Sequence, residues 1–196
     1  MLLAFDGVAC IRGDRLLFRD LSFMIAAGDA LWLCGPNGAG KSSLLRLAVG
    51  LLPIAAGRVT LPPPSPPFAR AAALADERLA LDPELTLAAA LDFWARIDGG
   101  DVPAAMAAMA LTPLADIPVA LLSTGQRKRA ALARTIASGA ALWLLDEPGN
   151  GLDAASLGLL TAAVAAHRAR GGAVILTSHF DLALPDQRQW TLAGAA

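Results

Sequence analysis

The chain has 196 residues, enough for one well-buried α/β domain with a small insert and too few for two large domains. Hydrophobic residues make up 56% of it, yet Gly, Pro or a charge interrupts every apolar run well short of the ~20 residues that span a bilayer, so a soluble chain is expected. A net charge of −1 argues against a nucleic-acid footprint, and charged residues at only 17% point to an apolar surface reserved for a partner.

Residues 1–6 carry no basic n-region ahead of an apolar core, so no secretory signal is read there and cytosolic exposure is expected. Cys10 and Cys34, the only cysteines, are too few for a disulfide framework and read as small buried hydrophobes. Residues 16–24 and 30–34 read as strands, the second entering a glycine-rich turn. A helix follows over 41–49, where Leu44, Leu45, Leu47 and Ala48 have helical spacing. The run Pro-Pro-Pro-Ser-Pro-Pro at 62–67 cannot donate to a ladder and reads as a stiff surface connector. Two alanine-rich helical stretches, 85–96 and 103–111, flank a Gly-Gly-Asp break at 99–101 and form a small helical subdomain. Then helix and strand alternate: helix 125–138, buried strand 141–145, helix 154–170 ended by Gly171-Gly172, and strand 173–178. Such alternation predicts a mostly parallel sheet, and no internal repeat is present.

Gly35-Pro36-Asn37-Gly38-Ala39-Gly40-Lys41-Ser42, followed by Ser43, fits G-x-x-x-x-G-K-[ST] between a strand and a helix. Glycines let backbone N–H groups face phosphates, and the helix N-terminus adds positive potential. Lys41 reaches the β- and γ-phosphates of ATP, and Ser42 ligates Mg²⁺. Leu142-Trp143-Leu144-Leu145-Asp146-Glu147 is four apolar residues running into two carboxylates. A buried strand would deliver Asp146 beside the phosphate loop to hold Mg²⁺ through water, and Glu147 toward the γ-phosphate as general base. Ser123, at the head of Ser123-Thr124-Gly125-Gln126, would cap the following helix and offer its hydroxyl, amides and helix dipole to an anion.

Leu122-Ser123-Thr124-Gly125-Gln126 resembles the LSGGQ signature of the ABC ATPase family, which sets that family apart among P-loop proteins. The resemblance implies a P-loop NTPase fold with a mostly parallel core sheet, an antiparallel β edge and a small α-helical subdomain. It makes residues 1–196 a single nucleotide-binding domain with 78–122 as the helical insert. It implies that Ser123 and Gly125 bind the γ-phosphate of ATP held by another subunit, so hydrolysis needs a head-to-tail homodimer. Asp153, six residues past Glu147, matches the family's D-loop, and His179, 33 residues past Asp146, its switch histidine contacting the γ-phosphate.

Two positions depart from the family pattern. No Gln precedes Gln126, and counting back from Leu85-Thr86 puts Glu77 where the family has a glutamine that contacts Mg²⁺ and the membrane partner. Glu77 either reaches Mg²⁺ or serves coupling alone. The chain has no Tyr, and Arg12 stands where the family has an aromatic on adenine; a guanidinium can stack there instead. These departures, Cys10 before Arg12–Phe18, residues 116–119 before the signature and residues 171–179 together resemble the ABC ATPases of haem export in cytochrome c maturation. That branch implies integral membrane subunits of CcmB/CcmC type as partners, no nucleic acid, and a peripheral place on the cytoplasmic face of the bacterial inner membrane. Other readings stay open: an ATPase for another small cargo, a soluble ABC ATPase, and a non-hydrolysing sensor. The soluble class usually has tandem domains, long coiled coils or basic extensions, and a sensor would not need the full set of catalytic residues.

Overall fold

Two β-sheets and the helices between them make up residues 1–66 and 68–193, the part of the chain that this computed structural model describes. The first sheet is antiparallel. Strand β1 (Leu3–Arg12) lies between β2 (Arg15–Ile25) and β4 (Ala56–Thr60), with Leu3 opposite Ile25 and Ala4 opposite Thr60. The second is parallel throughout. Its order is β5 (Arg70–Ala75), β6 (Ala140–Leu145), β7 (Ala173–Thr177), β3 (Ala30–Cys34) and β8 (Arg188–Thr191). Crossover helices cover parallel sheets on both faces, so their inner strands read as unbroken apolar runs.

The alternation along each central strand shows this directly. In β6, Trp143 and Leu145 enter one core while Leu142 and Leu144 enter the other. In β7, Val174 and Leu176 face the first core and Ala173 and Ile175 the second. The second core lies between the two sheets and holds α1 (Lys41–Ala48) through Leu44, Leu45 and Leu47. The first core is closed by α4 (Thr124–Ala137), α5 (Ala154–Ala169) and the helices inserted between β5 and α4. Those are α2 (Leu87–Asp98), α3 (Val102–Ala108) and two short 3-10 turns, Thr112–Leu114 and Val119–Leu121. Leu87, Leu91, Met106 and Val119 seal the insert onto the shared core.

The expected helices are present, with ends moved by one to three residues. Thr86 and Asp101 cap α2 and α3, accepting from Ala89 and Ala104 N–H, and Gly99 ends α2 in a left-handed conformation. Strands β1, β4, β5 and β8 are not among the elements the sequence predicts. The proline connector makes no ladder from 62 to 66; Phe68 N–H donates to Ser65 O at 3.0 Å, and Pro67 lies outside the described residues. Cys10 is buried and Cys34 half-buried, both are free, and burial pushes both thiols above their usual pKa.

His167, on α5, is only 1% exposed. Its ring stacks on Trp143 at 3.9 Å between centroids, Phe68 meets it edge-on at 5.7 Å, and Nε2 donates to Ala141 O at 3.1 Å. Gly172 packs so closely that a Cβ there would lie 2.2 Å from the ring. Burial disfavours the imidazolium and pushes the pKa down to about 4. The folded value lies below the unfolded one, so the neutral ring's contribution is complete above the unfolded pKa and is lost as pH falls through the folded value. Urea unfolding should therefore show a loss of about 2 kcal/mol between pH 7 and pH 5 from this group alone. His167→Phe, which keeps the ring stack and cannot titrate, should flatten that dependence; an unchanged slope would remove His167 as its source.

Candidate functional site

The phosphate loop leaves the carboxyl end of β3 and enters α1 at Gly40, which is left-handed at φ 102°. Gly35 has φ 137°, and a Cβ there would lie 2.4 Å from Leu192 O. No other residue fits both the conformation and the space. Strand β8 thus backs the loop, and Leu192 N–H donates to Cys34 O at 2.8 Å. Lys41 is buried, with Nζ donating to Gly35 O at 2.8 Å and to Pro36 O at 3.2 Å, so its ammonium lies across the loop it follows. Ala39 N–H donates to Pro36 O, and the Ala39 methyl is buried behind the turn.

A cleft of about 470 Å³ opens over this loop. Asn37, Gly38, Gly40, Lys41, Ser42 and Ser43 line it on the loop side, and Asp146, Glu147 and His179 line it on the sheet side. Arg12 lines it as expected; Arg15, Leu17 and Arg46 line it as well. The sheet positions the acids. β6 is buried along its whole length and releases Asp146 at its carboxyl end, with Asp146 N–H donating to Ala75 O at 2.8 Å.

Thr177, fully buried at the end of β7, ties the two acids together. Its Oγ1 donates to Asp146 Oδ1 at 2.8 Å and accepts from Glu147 N–H at 2.9 Å. That link holds Glu147 at φ 50°, a left-handed conformation costing a non-glycine residue about 1–2 kcal/mol. The Glu147 carboxylate has Oε1 3.4 Å from His179 Nε2, and its Oε2 is buried without a hydrogen-bond partner. A buried, unpartnered carboxylate oxygen in a phosphate-loop cleft suits a group that must accept a proton there. Nothing in the motif reading singled out Thr177, although a hydroxyl two residues before His179 in an apolar strand was the available signal.

The remaining expected site residues lie off the cleft. Ser123 caps α4 in a full capping box: Gln126 N–H donates to Ser123 Oγ at 3.3 Å and Ser123 N–H to Gln126 Oε1 at 2.8 Å. Gly125 adjoins Gly151, whose carbonyl would be 3.7 Å from a Cβ on Gly125. Asp153 caps α5, accepting from Ser156 N–H at 2.8 Å, and that bond holds its carboxyl below the usual range. Gly125 and Gly151 therefore sit together, and Ser123, Gly125 and Asp153 do not line the cleft. Glu77 is exposed and does not line the cleft. The acid engaged at the end of β5 is its neighbour Asp76, which pairs with Arg46 at 3.0 Å and accepts from Arg78 N–H. Among the described residues no three His, Cys, Asp or Glu side chains converge on a metal position. An ion at Ser42 and Asp146 would take its remaining ligands from phosphate and water, as Mg²⁺ does.

The family model described as ABC transporter matches residues 18–150. The chain is 62% identical to the cytochrome c biogenesis ATP-binding export protein CcmA of Sphingopyxis alaskensis, over 95% of this chain and 94% of that one. It is 52% identical to the protein of the same name from Zymomonas mobilis, over 97% of this chain and 84% of that one. A solved structure titled "Structure of ATP binding subunit of ABC transporter" superposes with a TM-score of 0.82 at 22% identity, covering 92% of this chain and 80% of that one, and so shares its fold.

Thr177→Val keeps shape and burial but removes the link between Asp146 and Glu147. ATP turnover should fall about tenfold or more, with about 1–3 kcal/mol lost in thermal unfolding from the unpaired acid, while Thr177→Ser restores turnover. A Val variant with full turnover would show that the hydroxyl does not position Glu147.

Proposed function

We propose that this chain, which belongs to the ABC transporter family and within it to the CcmA group, couples ATP hydrolysis to an export step of cytochrome c biogenesis, with haem export as the step the family resemblance implies. The chain is an ATP-binding, ATP-hydrolysing transporter subunit. The observation that carries the proposal is the meeting in one cleft of Lys41 and Ser42 with Asp146, Glu147 and His179.

Each residue has a defined task there. The N–H groups of Gly38, Ala39 and Gly40 and the start of α1 receive the β-phosphate, with Gly35, Pro36 and Asn37 shaping the approach and Ser43 beside Ser42. Lys41 exchanges its two carbonyl bonds for phosphate oxygens. Ser42 and, through water, Asp146 are the groups that would hold Mg²⁺, which supplies neutralisation of the phosphate charge. Glu147 Oε2 accepts a proton from the attacking water, and His179 holds Oε1 and contacts the γ-phosphate. Arg12 takes the base.

Ser123, Gly125 and Asp153 stand off this cleft, which supports a head-to-tail homodimer in which one copy's signature completes the other's site. Leu85 and Phe93 are exposed around a shallow apolar cavity of about 250 Å³ on the helical insert, a surface suited to integral membrane subunits of CcmB/CcmC type. In the described residues no helix is long and apolar enough to cross a membrane. The CcmA resemblance supports attachment through such partners on the cytoplasmic face of the bacterial inner membrane. Glu77, exposed beside the Asp76–Arg46 pair, serves that coupling and not the metal. Residues 78–122 act as the insert that carries the docking surface.

Glu147→Gln should bind ATP as the parent does, lose turnover by about a hundredfold or more, and elute as a dimer with ATP in size-exclusion chromatography. Unchanged hydrolysis would remove Glu147 as the base. Affinity capture from detergent-solubilised membranes should recover cytochrome c maturation subunits; recovery of an unrelated permease would move the chain to another cargo.

A further inference from the structure

The His179 side chain is 55% exposed, against 16% for Glu147, whose Oε1 lies 3.4 Å from His179 Nε2. A ring so open gets little hold from packing, and its place over the cleft depends on the backbone that carries it. Downstream, Phe180 N–H donates to Ser178 Oγ at 3.2 Å, and the Phe180 ring packs so near Gly149 that a Cβ there would meet it at 2.7 Å. Upstream, β7 ends at Thr177, whose register partner on β3 is Leu33. One residue past that pairing, Trp32 Nε1 donates to Ser178 O at 3.1 Å. Trp32 is half-buried against the first core, and an indole N–H in such a place takes an acceptor. The acceptor here belongs to the peptide that joins Ser178 to His179. That peptide is planar, so holding its C=O also holds the His179 N–H and Cα.

Resting on the reading of His179 as a γ-phosphate contact, we propose that Trp32 is a positioning residue for hydrolysis: its indole N–H anchors the Ser178–His179 peptide and so sets the His179 ring against Glu147 and the phosphate. Trp32 does not itself line the cleft. It acts through the histidine. The strand that carries it runs on into the phosphate loop at Gly35, so β3 supplies both the loop that receives the triphosphate and the anchor of the ring that meets its last phosphate. A phenylalanine at this position would fill much of the same space and leave the Ser178 carbonyl without the indole donor. The ring of His179 would then keep its downstream support and lose its upstream one.

His167 and His179 are the only histidines, which makes the test direct. In proton–carbon NMR of the full chain each gives one imidazole Cε1–H signal; buried His167 reports the fold, and His179 reports the cleft. The Mg²⁺ complex of the non-hydrolysable imido analogue of ATP should shift the His179 signal of the parent. In Trp32→Phe that shift should be largely lost while His167 stays in place, and kcat for ATP should fall about fivefold with KM within about twofold of the parent. Trp32→Phe added to His179→Ala should leave the residual turnover of His179→Ala as it was, an outcome that general weakening of β3 would not give. If His167 moves in Trp32→Phe, site-specific replacement of Trp32 by benzothienylalanine, which has sulfur in place of the indole N–H on the same bicycle, takes over with the same expectations. With His179→Ala impaired, a parent-like His179 shift, a parent-like kcat, or an equal fall of turnover in both backgrounds overturns the proposal. Full turnover in His179→Ala would instead sink the γ-phosphate reading, and the NMR shift would then decide alone whether the indole places the ring.

Discussion

Burial of β6 on both faces is the constraint from which the site follows. A slip of one residue would exchange Leu142 and Leu144 with Trp143 and Leu145, swapping small and large groups between two packed cores, so the register is fixed. Because every neighbour in the sheet runs parallel, the carboxyl ends of its strands share one edge. β3 delivers the phosphate loop there, β5 Asp76, β6 Asp146 and Glu147, and β7 Ser178 and His179. Residues far apart in sequence meet because the sheet sets them at one edge in register. Thr177 then joins two of them with one hydroxyl.

Much of this was legible in the sequence. The phosphate loop, the strand ending in Asp146-Glu147, and the helix boundaries around Thr86, Asp101 and Gly99 each have a local cause in glycine conformation, apolar runs or capping. The missed strands have none. Residues Arg70–Ala75 read Arg-Ala-Ala-Ala-Leu-Ala, a good helical composition, and become a strand only because β6 offers an edge with Ala72 beside Leu142 and Leu74 beside Leu144. β8 is four residues long, too short for a period to declare itself, and exists by pairing with β3. β1 breaks its alternation at Gly7, where the register shifts. The same blindness to tertiary neighbours explains why counting residues pointed to Glu77 while its neighbour Asp76 makes the ion pair beside the cleft.

Ser123 and Asp153 close α4 and α5 in the single subunit through bonds to Gln126 and Ser156 N–H. Those bonds rigidify the ends that, in the proposed head-to-tail homodimer, would face a second nucleotide. His167 is the opposite case. Its buried ring is tied to a carbonyl and two aromatic neighbours, which makes it a packing element.

Strand β8 also bears on how the protein comes into being. Gly35 rests on the Leu192 carbonyl, and Cys34 O is satisfied by Leu192 N–H, so the floor of the phosphate loop is built from a segment synthesised after β7 and His179. Earlier segments can pack their helices and pair β6 with β7 while synthesis continues. The loop's own floor waits for residue 192. Support for the phosphate loop is in this way tied to synthesis of β8, and a truncated product ending before β8 would keep every motif up to His179 while lacking the support beneath the loop's first glycine.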